Sequence, residues 1–190
     1  MVFLHDKNQD KQLLQATSPQ PLIDHYNEML DKVPEIHLAF PKSLAYTLYG
    51  YFDAAKLGID RVDHQQKPQP PIFQAQKAYL QAPWTCLEKR DFQQGLNLSK
   101  EARCLAEVPS ALPNSFISLS SFDAAIEIGE LLNRNPDPNL LPSLHKRLQN
   151  FPPTMKVIVA WGLERFHRRS GQIKQAQEMR ALLTKFGPHC

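Results

Sequence analysis

Apolar residues recur at intervals of three and four along most of this chain, and prolines cut the pattern into pieces of helical length. The clearest piece lies near the C-terminus, where Met155, Ile158, Val159, Leu163 and Phe166, joined by Val157 and Trp161, trace the broad apolar face of a helix. Pro152 and Pro153 stand where a first helical turn tolerates proline, and Ser170-Gly171 turns the chain. A second helix is predicted over about 172–186, with Ile173, Ala176, Met179, Leu182, Leu183 and Phe186 on one face and Gly187-Pro188 as its stop. So short a turn makes the two helices antiparallel.

Upstream the same logic gives a helix over 21–33 on Leu22, Ile23, Tyr26, Met29, Leu30 and Val33, ended before Pro34. The run 36–40 is cut by Pro41 and reads as a connector. Leu44, Ala45, Leu48, Tyr49, Phe52, Ala55 and Leu57 predict one helix over 42–57, with Gly58 as its terminator. The polar, proline-rich stretch 59–71 reads as a loop or internal linker. A helix over 72–82 should end at Pro83, and the apolar residues of 84–108 predict two helices broken near Gly95 to Asn97. After a loop at 109–114, Ser120 and Asp123 form a variant capping box that opens a helix through Leu132. The turn-rich run 133–138 closes it, and a shorter helix follows over about 140–148.

Strand-like alternation is almost absent. The expectation is an all-α protein, a compact bundle or irregular stack of about seven to nine short helices ending in an antiparallel hairpin. Residues 1–18 read as a loosely held arm and 19–190 as one α-helical domain, with 59–71 as the place where it would divide.

Within the C-terminal hairpin, Leu163, Gly171, Ala176 and Pro188 fall at spacings that resemble the small-residue, turn and terminal-proline positions of a tetratricopeptide repeat. The resemblance covers one unit, with Glu164 where that family places a small residue and Arg180 where it places an aromatic. It implies a hairpin built for stacking on others of its kind; a generic αα-hairpin accounts for the same periodicity.

Composition narrows the function classes. The 190 residues are 42% hydrophobic and 22% charged, as in an ordinary globular domain, and the three cysteines form no disulfide or metal-binding pattern. The opening residues lack the apolar core of a signal peptide, and no apolar run approaches the roughly 20 residues of a membrane span, so the expectation is a soluble, cytoplasmic protein without a membrane span. Phosphate-cradling glycine loops and nucleophile motifs are missing. His25 and Glu28 are the nearest approach to helical metal-ligand spacing, and the polar flank of an amphipathic helix explains them as well. Neither a metal nor a cofactor is expected, nor a catalytic group. An enzyme would have to assemble its site from scattered residues such as His25, Asp53, His64 and Glu127.

Charge gives the one signal above background. Residues 1–144 carry 13 Lys and Arg against 17 Asp and Glu, whereas 145–190 carry 9 against 2. Arg147, Arg165, Arg168, Arg169, Lys174 and Arg180 are the candidate partner-binding residues. Cations near helix C-termini also serve the helix dipole, so the two roles compete until the side chains are placed. The functional expectation is a non-enzymatic interaction module, an adaptor or complex subunit, whose basic C-terminal surface holds an acidic segment of another protein. The alternative is a helical nucleic-acid-binding protein. A pI near 8.7 and tyrosines concentrated in the acidic half make it the weaker of the two.

Overall fold

The computed structural model describes residues 15–31, 35–65, 71–107, 119–133, 136–151 and 153–185. Among them the chain forms α1 (Gln20–Glu28), α2 (Glu35–Leu48), α3 (Phe52–Gln65), α4 (Pro71–Glu88), α5 (Phe92–Glu107), α6 (Leu119–Leu131), α7 (Leu140–Arg147) with a 3-10 turn at Leu148–Asn150, α8 (Pro153–Arg169) and α9 (Ile173–Thr184). No strand occurs among the described residues, and the all-α expectation holds. The arm at 1–14, the loop at 109–114 and the terminal Gly187-Pro188 lie outside them.

Most helices pack on their neighbours in sequence, α2 on α3, α4 on α5, α5 on α6 and α8 on α9 most extensively; α2 also meets α4, and α6 meets α8. One continuous apolar core runs through this stack. Leu38, Ala55, Ile59, Ala75, Ala124, Leu144, Val159 and Leu163 are wholly shut off from solvent, each contributing roughly 1–3 kcal/mol of apolar burial according to size. Phe40 of α2 stacks on Phe73 of α4, and Tyr79 of α4 meets Phe122 of α6 edge-on at 5.1 Å. The beginning of the described chain is tied down as well, for the Tyr49 hydroxyl donates to the Ala16 carbonyl at 3.0 Å.

Several boundaries differ from those that periodicity predicts. Pro41 lies inside α2 and Pro83 inside α4, although an interior proline costs about 3 kcal/mol. Tertiary burial on both sides of each proline offsets that cost, with Leu38, Phe40, Ala45 and Leu48 around Pro41 and Leu80, Ala82 and Leu87 around Pro83. The stretch 36–40 is therefore helix rather than connector. The predicted helix over 42–57 is in fact parts of two, divided at Gly50, whose φ of +79° lies in the left-handed region. From Ile59 to Gln65 the chain continues α3, so most of the supposed linker is helical.

Gly58 and Gly95 stop nothing. A Cβ on Gly58 would stand 2.1 Å from the Ser43 Oγ, and one on Gly95 would stand 2.2 Å from the Cys86 Sγ. Both are notches at which paired helices touch. The real break between α4 and α5 falls at 89–91, where Arg90 takes φ +58° and the Asp91 carboxylate accepts from the Gln94 amide at 2.9 Å, capping α5.

Candidate functional site: an arginine-lined concavity

The C-terminal hairpin forms as the sequence predicts. Gly171, at φ +71°, reverses the chain, and the Gln172 amide donates to the His167 carbonyl at 2.8 Å, closing the last turn of α8. Helical spacing puts Arg165, Arg168 and Arg169 on adjacent parts of the final turns of α8. Arg180 joins them from α9. With Glu164 these four arginines line a single concavity of about 260 Å3.

The arginines differ in how far the fold already occupies them. Arg168 bonds through its Nε to the buried Glu164 carboxylate at 3.0 Å, and Arg169 donates to the Leu132 carbonyl at 2.7 Å, capping the end of α6. The Arg165 guanidinium lies 5.1 Å from the Trp161 ring centre. Its pKa is pushed down, first by burial and then by repulsion from Arg90 and Arg168, against which Glu164 pulls the other way. Arg180 is exposed and has no ion pair among the described residues. The concavity thus gathers cations around one carboxylate that is itself engaged.

Two of the sequence candidates fall elsewhere. Arg147 holds Glu127 with two hydrogen bonds, at 3.1 and 2.6 Å, and lies over the Phe151 ring; it is a strut between α7 and α6. Lys174 is exposed on the first turn of α9 and does not line the concavity. Among the scattered residues of a hypothetical active site, Glu127 is taken up by that strut, and no group of three or more His, Cys, Asp or Glu among the described residues could hold a metal ion.

Sequence reasoning missed two features. Arg90, from the α4–α5 turn, adds its charge to the field at Arg165 although 75 residues separate them. Beside the concavity, the Nε2 atoms of His145 and His167 stand 2.9 Å apart, and His167 Nδ1 lies 2.5 Å from the Gln172 side-chain oxygen. The His145 and His167 rings and the Gln172 amide thus form one chain of hydrogen-bonding groups. The polar pair locks α7 to the end of α8, and a buried His167 gave no periodic signal to find it by.

A second recess, of about 350 Å3, opens between α1, α2 and α3. Lys42 there donates to the Asn27 side-chain oxygen at 2.7 Å, and Arg61 pairs with Glu35 at 3.6 Å. No helix among the described residues is long and apolar enough to cross a membrane. No protein-family model, curated protein or solved structure matches the chain.

Proposed function

We propose that the protein is a non-enzymatic helical interaction module, an adaptor or complex subunit, that holds an acidic segment of a partner protein in the concavity at the end of α8. The observation that carries this reading is the convergence of Arg165, Arg168, Arg169 and Arg180 on one recess. Service to the helix dipole accounts for Arg168 and Arg169, which sit in the last turn of α8. It does not account for Arg165 a turn earlier or for Arg180 in α9, and the charge of Arg90, from the α4–α5 turn, adds to the repulsion at Arg165. Cations crowded together and partly desolvated are a cost to the unbound protein, and a bound carboxylate would relieve it through fork-shaped guanidinium contacts.

The stacking of helices on sequence neighbours, and of alternate helices at α2–α4 and α6–α8, supports treating the hairpins as repeat-like units with the C-terminal one as the recognition unit. Where the tetratricopeptide pattern has its small residue, Glu164 anchors Arg168. The close approach is made two residues earlier, at Gly162, against Ile128 of α6.

A fluorescein-labelled peptide rich in Glu and Asp, titrated by anisotropy at low ionic strength beside single- and double-stranded oligonucleotides, tests the proposal. Saturable peptide binding that weakens with salt supports it. A flat peptide titration overturns it, and binding of the oligonucleotides alone transfers the site to nucleic acid.

A further inference from the structure

The concavity at the end of α8 holds more positive charge than a single carboxylate can answer. Four guanidinium groups line it beside one carboxylate, and that carboxylate, Glu164, is spent on Arg168. Arg165 lies against the Trp161 ring, Arg169 donates to a backbone carbonyl and Arg180 is exposed, so none of the three has an ion pair of its own among the described residues. A guanidinium has more N–H groups than any one of these contacts uses. The recess is also small. At about 260 Å3 it falls below the roughly 300–1,000 Å3 of pockets that enclose a whole small-molecule ligand, so it admits one head group rather than a length of chain.

One head group among several unmatched cations narrows the chemistry. A carboxylate brings one charge and two oxygens in a plane, which a single guanidinium fork satisfies. A phosphomonoester brings about −1.5 to −2 charges at neutral pH and three strong acceptor oxygens spread in different directions. Arginines supplied by two antiparallel helices, α8 and α9, suit the second shape, because donors on separate elements can each take a separate oxygen. A nucleic-acid backbone suits the site less. Its phosphodiesters carry one charge apiece, and strand-binding grooves add aromatic platforms on which bases stack. Among the described residues no aromatic side chain lines this concavity, and the Trp161 ring next to it already has Arg165 over its face.

Resting on the reading of this concavity as a protein-binding site, we propose that it recognises a phosphorylated side chain, a phosphoserine or phosphothreonine within the partner's acidic segment. Arg165 and Arg180 grip the phosphate, and Arg168 and Arg169 add their spare N–H groups from the last turn of α8. Phosphorylation of the partner is then what turns binding on, since a serine hydroxyl in the same place leaves the cations unanswered.

Three fluorescein-labelled peptides of one acidic sequence, with serine, glutamate or phosphoserine at the central position, are the probes, titrated by anisotropy with inorganic phosphate and a single-stranded oligonucleotide as competitors. The phosphoserine peptide should bind about tenfold tighter than the glutamate peptide, the worth of one more charge-assisted hydrogen bond. In Arg180→Gln, a change at an exposed position, the two peptides should come close to parity, and an undiminished advantage there overturns the assignment. Binding of the glutamate peptide with no gain from phosphate sinks the phosphate inference and leaves the acidic-segment reading standing, whereas no binding by any of the three peptides sinks both. Displacement by the oligonucleotide or by inorganic phosphate at concentrations as low as the phosphopeptide's own also refutes it, because the site then serves nucleic acid or a free anion. The wild-type ratio decides the matter even where the variant does not fold.

Discussion

The guanidinium carbon of Arg165 stands 5.1 Å from the centre of the Trp161 indole, one helical turn away on α8. This pair joins the cationic concavity to the core: Arg165 lines the concavity and Trp161 is buried. A cation over an indole face is worth about 0.5–2 kcal/mol, which holds Arg165 in place against the repulsion of its arginine neighbours.

The arginines should separate into structural and functional ones. Arg147 grips Glu127 with two bonds in a partly exposed site, so Arg147→Ala should lower stability by about 1 kcal/mol. Exposed Arg180, with nothing to lose, should leave it within about 0.5 kcal/mol when changed to alanine. Urea denaturation of the two variants measures the difference.

Acid should loosen the C-terminal end. The pKa of His145 is lowered from an ordinary 6.5, first by burial and then by His167, with Glu178 opposing. The unfolded chain therefore binds more protons between the folded value and 6.5, and stability rises with pH across that window. It is fully present above 6.5 and is lost as pH falls through the lowered value. Denaturation midpoints followed from pH 7.5 down to pH 5 should fall, and His145→Gln should flatten that part of the profile.

Gly95 should resist even a methyl group. Alanine gains about 1 kcal/mol in helix propensity, but its Cβ would stand 2.2 Å from the Cys86 sulfur and 3.2 Å from the Ala82 carbonyl. Overpacking of that kind costs about 1–3 kcal/mol. Gly95→Ala should lower the thermal midpoint, and combining it with Cys86→Ala should cost less than the two changes separately, a coupling that a double-mutant cycle measures.

The two cysteines within the described region should react at different rates. Cys104 is exposed, whereas Cys86 is half-buried with its thiol pushed up to about 12. Iodoacetamide at neutral pH should modify Cys104 first and leave Cys86 largely intact until the fold opens, since the thiolate is the reactive form. Peptide mapping by mass spectrometry reads the order.

How far the sequence foretold this structure depends on where each cause lies. The apolar faces of α1, α8 and α9 were legible because burial repeats with the helix, although Leu30 and Ile173, at the ends of those patterns, stay exposed. Prolines 41 and 83 misled because their local cost is fixed, whereas the burial that offsets it comes from other helices. Glycine has the same symbol for two physical roles. At Gly50 and Gly171 it turns the chain, and at Gly58 and Gly95 it admits a neighbour that only the fold brings near. The charge cluster pointed to Arg165, Arg168, Arg169 and Arg180, yet drew in Arg147 because its partner Glu127 lies on a different helix. Arg90 escaped notice for the converse reason, being remote in sequence and adjacent in the field.

The most direct test of the interaction reading compares the wild-type protein with Arg165→Gln/Arg180→Glu, which leaves the Arg168–Glu164 and Arg169–Leu132 contacts in place. Anisotropy titration of the acidic peptide at low ionic strength should show binding to the wild type and a loss of about tenfold or more in the variant, with the two thermal midpoints close together. Equal affinity for both proteins would contradict the account.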